Sequence, residues 1–190
     1  MKMRVLLLSL AAVTFAFTGC KKSDSSNSLF PEPQTSWGYT QAQLTSKLGT
    51  PDDTETDTDT GDIYLLYNID NKVCSGHEYI IFADDNKLHA SAALVDASES
   101  DIESFLSSKY TKLDLSQLGL PSELLASVLS AYVNSSQTTI VVIEYNSDYD
   151  SYMVEYGDVN YASEGALAPA RSAGAAQINA AALLPLLKGR

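Results

Sequence analysis

Cys74-Ser75-Gly76-His77 places a thiol three residues from an imidazole, a spacing that suits a thiolate with its base or one half of a zinc site. Zinc needs three or four protein ligands. The chain's other histidine, His89, falls on the next strand-like segment, where it could raise the set to three. A nucleophile pair also needs an orienting group and oxyanion donors, and no loop of that kind is recognisable. Cys74, His77 and His89 are thus the residues of a possible metal-binding or hydrolytic domain, set against Cys74 as a small apolar residue at a strand end. The run from Asp52 to Asp62 alternates carboxylates with threonines, as calcium loops do, but its spacing departs from theirs. A loop starting at Asp57 would want a ligand at Gly61, glycine at Asp62 and glutamate at Asn68. One starting at Asp53 would want glycine at Thr58 and glutamate at Tyr64. A solvated acidic loop is the expectation. There is no phosphate-cradling glycine loop, dinucleotide fingerprint or Gly-x-Ser-x-Gly elbow, and no catalytic, cofactor or metal site is assigned.

Cys20 is the residue whose chemistry its surroundings specify. Lys2 and Arg4 precede an uncharged run from Val5 to Phe17, the pattern of an export signal. That run is shorter than the roughly 20 apolar residues a spanning helix requires. Phe17-Thr18-Gly19-Cys20 resembles the bacterial lipobox, with Phe17 in place of the usual leucine. Small residues at 18 and 19 fit a narrow peptidase cleft, and the Cys20 thiol is the nucleophile that takes a diacylglycerol group. Residues 1–19 are therefore expected to be a lipoprotein signal peptide and Cys20 the lipid attachment point, a membrane contact strengthened by about 0.8 kcal/mol per buried CH₂. Lipidation leaves Cys74 without a partner, so the exported domain must be held by its core rather than by a disulfide. Loss of Lys2 and Arg4 with the leader leaves ten basic against 24 acidic residues, a charge of −14 where the whole chain carries −12. Nucleic acid and anionic headgroups are poor partners for such a surface.

The elements that would carry these residues follow from pattern. Residues 20–36 are Ser-rich and closed by Pro31 and Pro33, which predicts a flexible tether and places the start of the ordered domain near Trp37. Thr40 and Gln43 form a capping box with Tyr39 and Leu44 as its staple, and Gly49 and Pro51 end a helix over about 41–48. Ile63 to Ile69 alternates as a strand. Tyr79 to Ala83 and Leu88 to Val95 read as a second pair, with the register open. A two-residue turn at Asp85-Asn86 would pair Ala83 with Leu88 and Ile81 with Ala90; a longer loop would put Phe82 on the face of Leu88. A third hairpin turning at Ser147 to Asp150 aligns Tyr145 with Tyr152, Ile143 with Val154 and Val141 with Tyr156, leaving Glu144 and Glu155 on a face toward water. Ile102, Phe105, Leu106 and Tyr110 mark one amphipathic helix. Pro121 opens a second, with Leu124, Leu125, Val128, Leu129 and Tyr132 as its stripe. Residues 162–190 read as an Ala-rich, weakly helical tail.

Tyr39-Thr40-x-x-x-Leu44, Leu48-Gly49-x-Pro51, the acidic run and the Phe82 to Leu88 hairpin resemble the E-type accessory lipoprotein of the outer-membrane β-barrel assembly machinery, whose fold is shared with the β-lactamase-inhibitor protein. With Phe105-Leu106-x-x-x-Tyr110, Thr139-Ile140-Val141-Val142 and Val154-x-Tyr156 added, the chain is similar to the lipoproteins abundant in Bacteroides-type bacteria. The resemblance implies a non-catalytic helix-plus-sheet module and transfers no site residue. The expectation is an α+β domain over residues 37–161, an antiparallel sheet of meandering hairpins with helices on one face. It would be a non-enzymatic binding or scaffolding module of the cell envelope, with an envelope protein or glycan as partner; a structural spacer is the alternative. Lys21 and Lys22 lack the acidic residue associated with inner-membrane retention, which favours the outer membrane.

Overall fold

The computed structural model describes residues 28–115, 128–147 and 150–161. Along them run α1 (Gln41–Leu48), β1 (Asp53–Thr56), β2 (Ile63–Asn68), β3 (Cys74–Phe82), β4 (Lys87–Val95), α2 (Glu99–Ser107), β5 (Thr111–Lys112), β6 (Val128–Val133), β7 (Thr139–Asn146) and β8 (Ser151–Asp158). α1 starts on the capping box: Gln43 N–H donates to Thr40 Oγ1 (3.3 Å) and Thr40 N–H to Gln43 Oε1 (2.9 Å), meeting two of the otherwise unpaired donors of a first turn. It stops at Gly49, whose φ of 95° is open to glycine at little cost. Ser98 caps α2 through Asp101 N–H, and Ile102, Phe105 and Leu106 bury its apolar stripe.

The strands form one antiparallel sheet in the order β1-β2-β3-β4-β8-β7-β6-β5, an α+β fold. The order reads as two copies of one plan. A helix is followed by a four-stranded meander, α1 then β1–β4 and α2 then β5–β8, and the copies meet edge to edge along β4 and β8. Helix caps and core-facing apolar residues repeat at matching offsets, Thr40, Leu44 and the partly buried Leu48 against Ser98, Ile102 and Leu106. Near the middle of the seam Ser91 pairs with Tyr156 and Ala92 with Glu155.

Side-chain alternation sends Leu65, Tyr67, Tyr79, Ile81 and Leu88 to the α1 side, with Leu44. Cys74, Ala93, Val95, Val141, Ile143, Val154 and Tyr156 gather under α2 on the same face. The segment ahead of Trp37 is not free along its whole length. Residues 28–36 lie across this helix face, where Phe30 is fully buried and its ring stands 4.7 Å from that of Phe105. One phenyl ring supplies the apolar area that the segment's Ser and Pro composition otherwise lacks, so the expected tether is shorter at its C-terminal end.

Other expectations are also corrected. Asp53 to Thr56 of the acidic run pairs with β2 as an edge strand, whose carboxylates discourage pairing with another chain. The second hairpin adopts neither register considered: Ala83 to Asn86 connect Phe82 to Lys87, which pair with each other, Ile81 stands opposite Leu88, and His89 is the extra residue of a β-bulge before Ile80 meets Ala90. Phe82 therefore faces away from Leu88. Val128 to Val133 is strand rather than helix, because Val-x-Ser-x-Tyr alternates as well as it spaces helically and β7 supplies a partner; the rest of that expected helix, from residue 121, lies outside the described residues. The third hairpin has the expected register. Its second face does not lie in water: Glu155 is 5% exposed. Residues 1–27 and 162–190, with the expected leader, Cys20 and tail, lie outside the described residues.

Candidate functional site

Cys74 and His77 lie on the helix face of β3, and His89 bulges from β4 beside Phe82 and Tyr161 on the opposite face. The Cys74 thiol is buried and 3.6 Å from the Gly76 carbonyl. Burial, opposed by that hydrogen bond, pushes its pKa up to about 11, which keeps it a thiol at neutral pH and a poor nucleophile.

His77 anchors the N-terminal strap. Its Nε2 lies 2.8 Å from the Pro31 carbonyl oxygen, an atom that only accepts, so Nε2 carries the proton and Nδ1 faces the Tyr79 hydroxyl at 3.5 Å. Burial lowers its pKa, the Pro31 bond opposing, and the ring is neutral. The same strap is held by Gln34 N–H donating to Tyr79 Oη and by Ser91 Oγ donating to the Gln34 carbonyl. Glu32 accepts from the Tyr110 and Tyr156 hydroxyls at 2.8 and 3.2 Å and pairs with Lys109.

His89 has a different setting. Nδ1 is 2.9 Å from Asp158 Oδ2 and Nε2 is 3.0 Å from Asp85 Oδ2. The ring stacks on Tyr161 with centroids 3.8 Å apart, and Tyr161 Oη donates to Asp84. Burial pulls the imidazole pKa down, but the bonds to Asp158 and Asp85 outweigh it and raise the value above the ordinary one. His77 pairs across with Ala93, four residues along β4 from His89, about 13 Å at strand rise. The three candidates therefore do not converge. Among the described residues no group of three His, Cys, Asp or Glu could hold a metal ion.

The acidic run is structural where it is described. Asp57 Oδ1 accepts from Asp59 and Thr60 N–H, and Asp62 Oδ1 from Ala83 N–H, so these carboxylates close the β1–β2 connection and tie it to the next hairpin.

The groups that sequence reasoning missed are acids at the seam. Glu78 and Glu155 both pair across to Ala92 and flank its methyl on the face away from the helices. Burial, and then Glu55, pushes Glu78 up to about 7; burial, then Glu144 and Glu78, raises Glu155 well above the ordinary carboxylate range. Glu155 Oε2 has no hydrogen-bond partner among the described residues. The one signal in the sequence is a glutamate inside an otherwise apolar strand, which alternation assigns to water.

No family model matches the chain, and no curated protein matches it in sequence. Among solved structures, an extracellular protein containing an SCP domain from Bacillus anthracis str. Ames superposes with a TM-score of 0.39 at 14% identity, over 76% of this chain and 50% of its own. The chain thus spans about half of that protein, and a likeness this loose carries no argument about fold or activity.

Proposed function

We propose that the protein is a lipid-anchored lipoprotein of the bacterial cell envelope whose α+β domain binds or scaffolds an envelope partner without catalysing a reaction. The observation that carries this reading is the leader ending in Phe17-Thr18-Gly19-Cys20. The site geometry supports the non-catalytic part, because both imidazoles spend their nitrogens on structural bonds and the buried thiol lies against the Gly76 carbonyl. The docked strap adds a distance. Phe30 is fixed in the core, and the chain from Cys20 to Ser28 reaches at most about 28 Å when extended, so an anchor at Cys20 would hold the domain close to the bilayer.

The surface we assign to this partner is the β7–β8 end, where Tyr145 is 47% exposed and meets Tyr152 edge to face at 5.4 Å. Such rings give amphipathic contact area to protein or glycan. Two measurements test the reading. Cys20→Ser should abolish radiolabelled palmitate incorporation and move the protein from the membrane to the soluble fraction; a variant still found in membranes refutes the anchor. Crosslinking in intact envelopes should yield a discrete adduct that Tyr145→Ala weakens, and an unchanged adduct pattern refutes the placement of the surface.

A further inference from the structure

The two meanders join through the β4–β8 ladder, from Ala90 opposite Gly157 to Val95 opposite Tyr152. Two groups of ionisable side chains straddle this seam on the face away from the helices. At one end His89 of β4 reaches Asp158 of β8 and Asp85 of the β3–β4 connection. At the centre Glu78 and Glu155 flank Ala92 from either side.

We propose that the β4–β8 seam is a proton-sensitive joint, held most firmly when His89 is an imidazolium and the Glu78–Glu155 pair carries protons, and loosening as pH rises through neutrality. Carboxylates only accept hydrogen bonds, so both ring nitrogens of His89 must donate, which only the cation can do. Deprotonation turns one lone pair onto a carboxylate oxygen in a site where His89 and Asp158 are 8% and 7% exposed. The charged groups around the ring favour the cation: Asp85 and Asp84 from the connection, Asp158 from β8, and Asp62, which holds Ala83, against Lys87, 3.7 Å from Asp85 and half exposed. Tyr161 closes the stack. Around the glutamate pair the facing groups are Glu55 of β1, Tyr64 of β2 and Glu144 of β7, all acids. Two carboxylates flanking one methyl group, Glu155 buried and Glu78 partly buried, do not both ionise without cost.

The two groups act in one direction. His89 is raised in the fold, so its contribution is complete below the ordinary histidine value of 6.5 and is lost as pH climbs through the folded value. Glu78 and Glu155 are also raised, so burial is tolerated in full below the ordinary 4.5, and stability is lost as pH climbs past it, through about 7 for Glu78. A tenfold difference between the folded and unfolded acid constants of one group changes the opening equilibrium about tenfold. The joint is independent of the lipid anchor and would persist if the anchor reading failed.

The test uses the full-length chain from pH 5 to 8.5. Tm should fall from pH 6.5 to 8.5, above the range in which the lowered His77 opposes the trend, and amide protection there, corrected for intrinsic exchange, should drop about tenfold more on the β4–β8 ladder than on the β2–β3 ladder. His89→Gln should lower Tm at pH 5 and flatten the profile. Glu155→Gln keeps the shape without the ionisation, and should raise Tm at pH 8 and flatten the profile from the other side. If His89→Gln does not fold, Glu155→Gln and NMR titration of ¹³C-labelled histidine in the unaltered protein decide the matter, with the His89 midpoint expected above 6.5. A Tm that is flat or rises from pH 6.5 to 8.5, ladders that lose protection in parallel, or a His89 midpoint below 6.5 would each overturn the joint.

Discussion

Replacing Phe30 by alanine separates a docked strap from a free tether. A buried phenylalanine removes about 150–250 Å² from water, which at about 25 cal/mol per Å² is worth roughly 4–6 kcal/mol. The unfolded chain already shields part of that area, and mutational losses for Phe→Ala in cores run at about 3–5 kcal/mol. Phe30 is fully buried among Cys74, Ala93, Val95, Ile102 and Leu106, with the Phe105 ring tilted 52° against it. The loss can also be limited by release of residues 28–36, which would then forfeit the Pro31, Glu32 and Gln34 bonds. The expected destabilisation is therefore about 3 kcal/mol, with strap amides exchanging faster than those of β3. Urea denaturation followed by the fluorescence of Trp37, which packs at the junction of both core clusters, measures it. A change below about 0.5 kcal/mol, the size of an ordinary surface substitution, would mean that the strap adds nothing and that Phe30 is not packed in the core.

Three smaller perturbations probe local contacts. Thr40→Ala removes the α1 cap and should cost about 1 kcal/mol, read from the same denaturation curves; no change would mean that Gln43 alone serves the first turn. Gly61 has a φ of 80° and a Cβ there would sit 3.3 Å from Ala83 Cβ, so Gly61→Ala should destabilise by about 1–2 kcal/mol, whereas equal stability would show that the connection relaxes freely. Cys74, with its thiol buried and raised to about 11, should react with iodoacetamide slowly in the native chain and quickly in denaturant; rapid native labelling in a Cys20→Ser background would contradict its burial.

Patterns confined to neighbouring residues are legible in the sequence. The capping box at Thr40 and Gln43, the Ile102, Phe105, Leu106 stripe and the Val141 to Tyr156 register all rest on contacts within a turn or across a short hairpin, where side-chain type nearly dictates geometry. Val128 to Val133 reads as helix because its apolar spacing satisfies both periods, and only the presence of β7 alongside decides for strand. The second hairpin escapes for a related reason: a bulge at His89 adds one residue to one strand, which no alternation pattern announces.

The sequence by itself determined the helix at 41–48, the capped start of the next helix at Ser98 with its Ile102, Phe105, Leu106 stripe though not its end before Tyr110, and the register of the third hairpin, because each depends on residues close along the chain. Only the tertiary structure decided that Phe30 enters the core, that Cys74, His77 and His89 stand apart, and that Glu155 is buried beside Glu78. These depend on which strands become neighbours. β4 and β8 are separated by two strand pairings and a helix in the chain yet share one ladder, so the environment of every group on that seam is set by a contact that local pattern cannot reach.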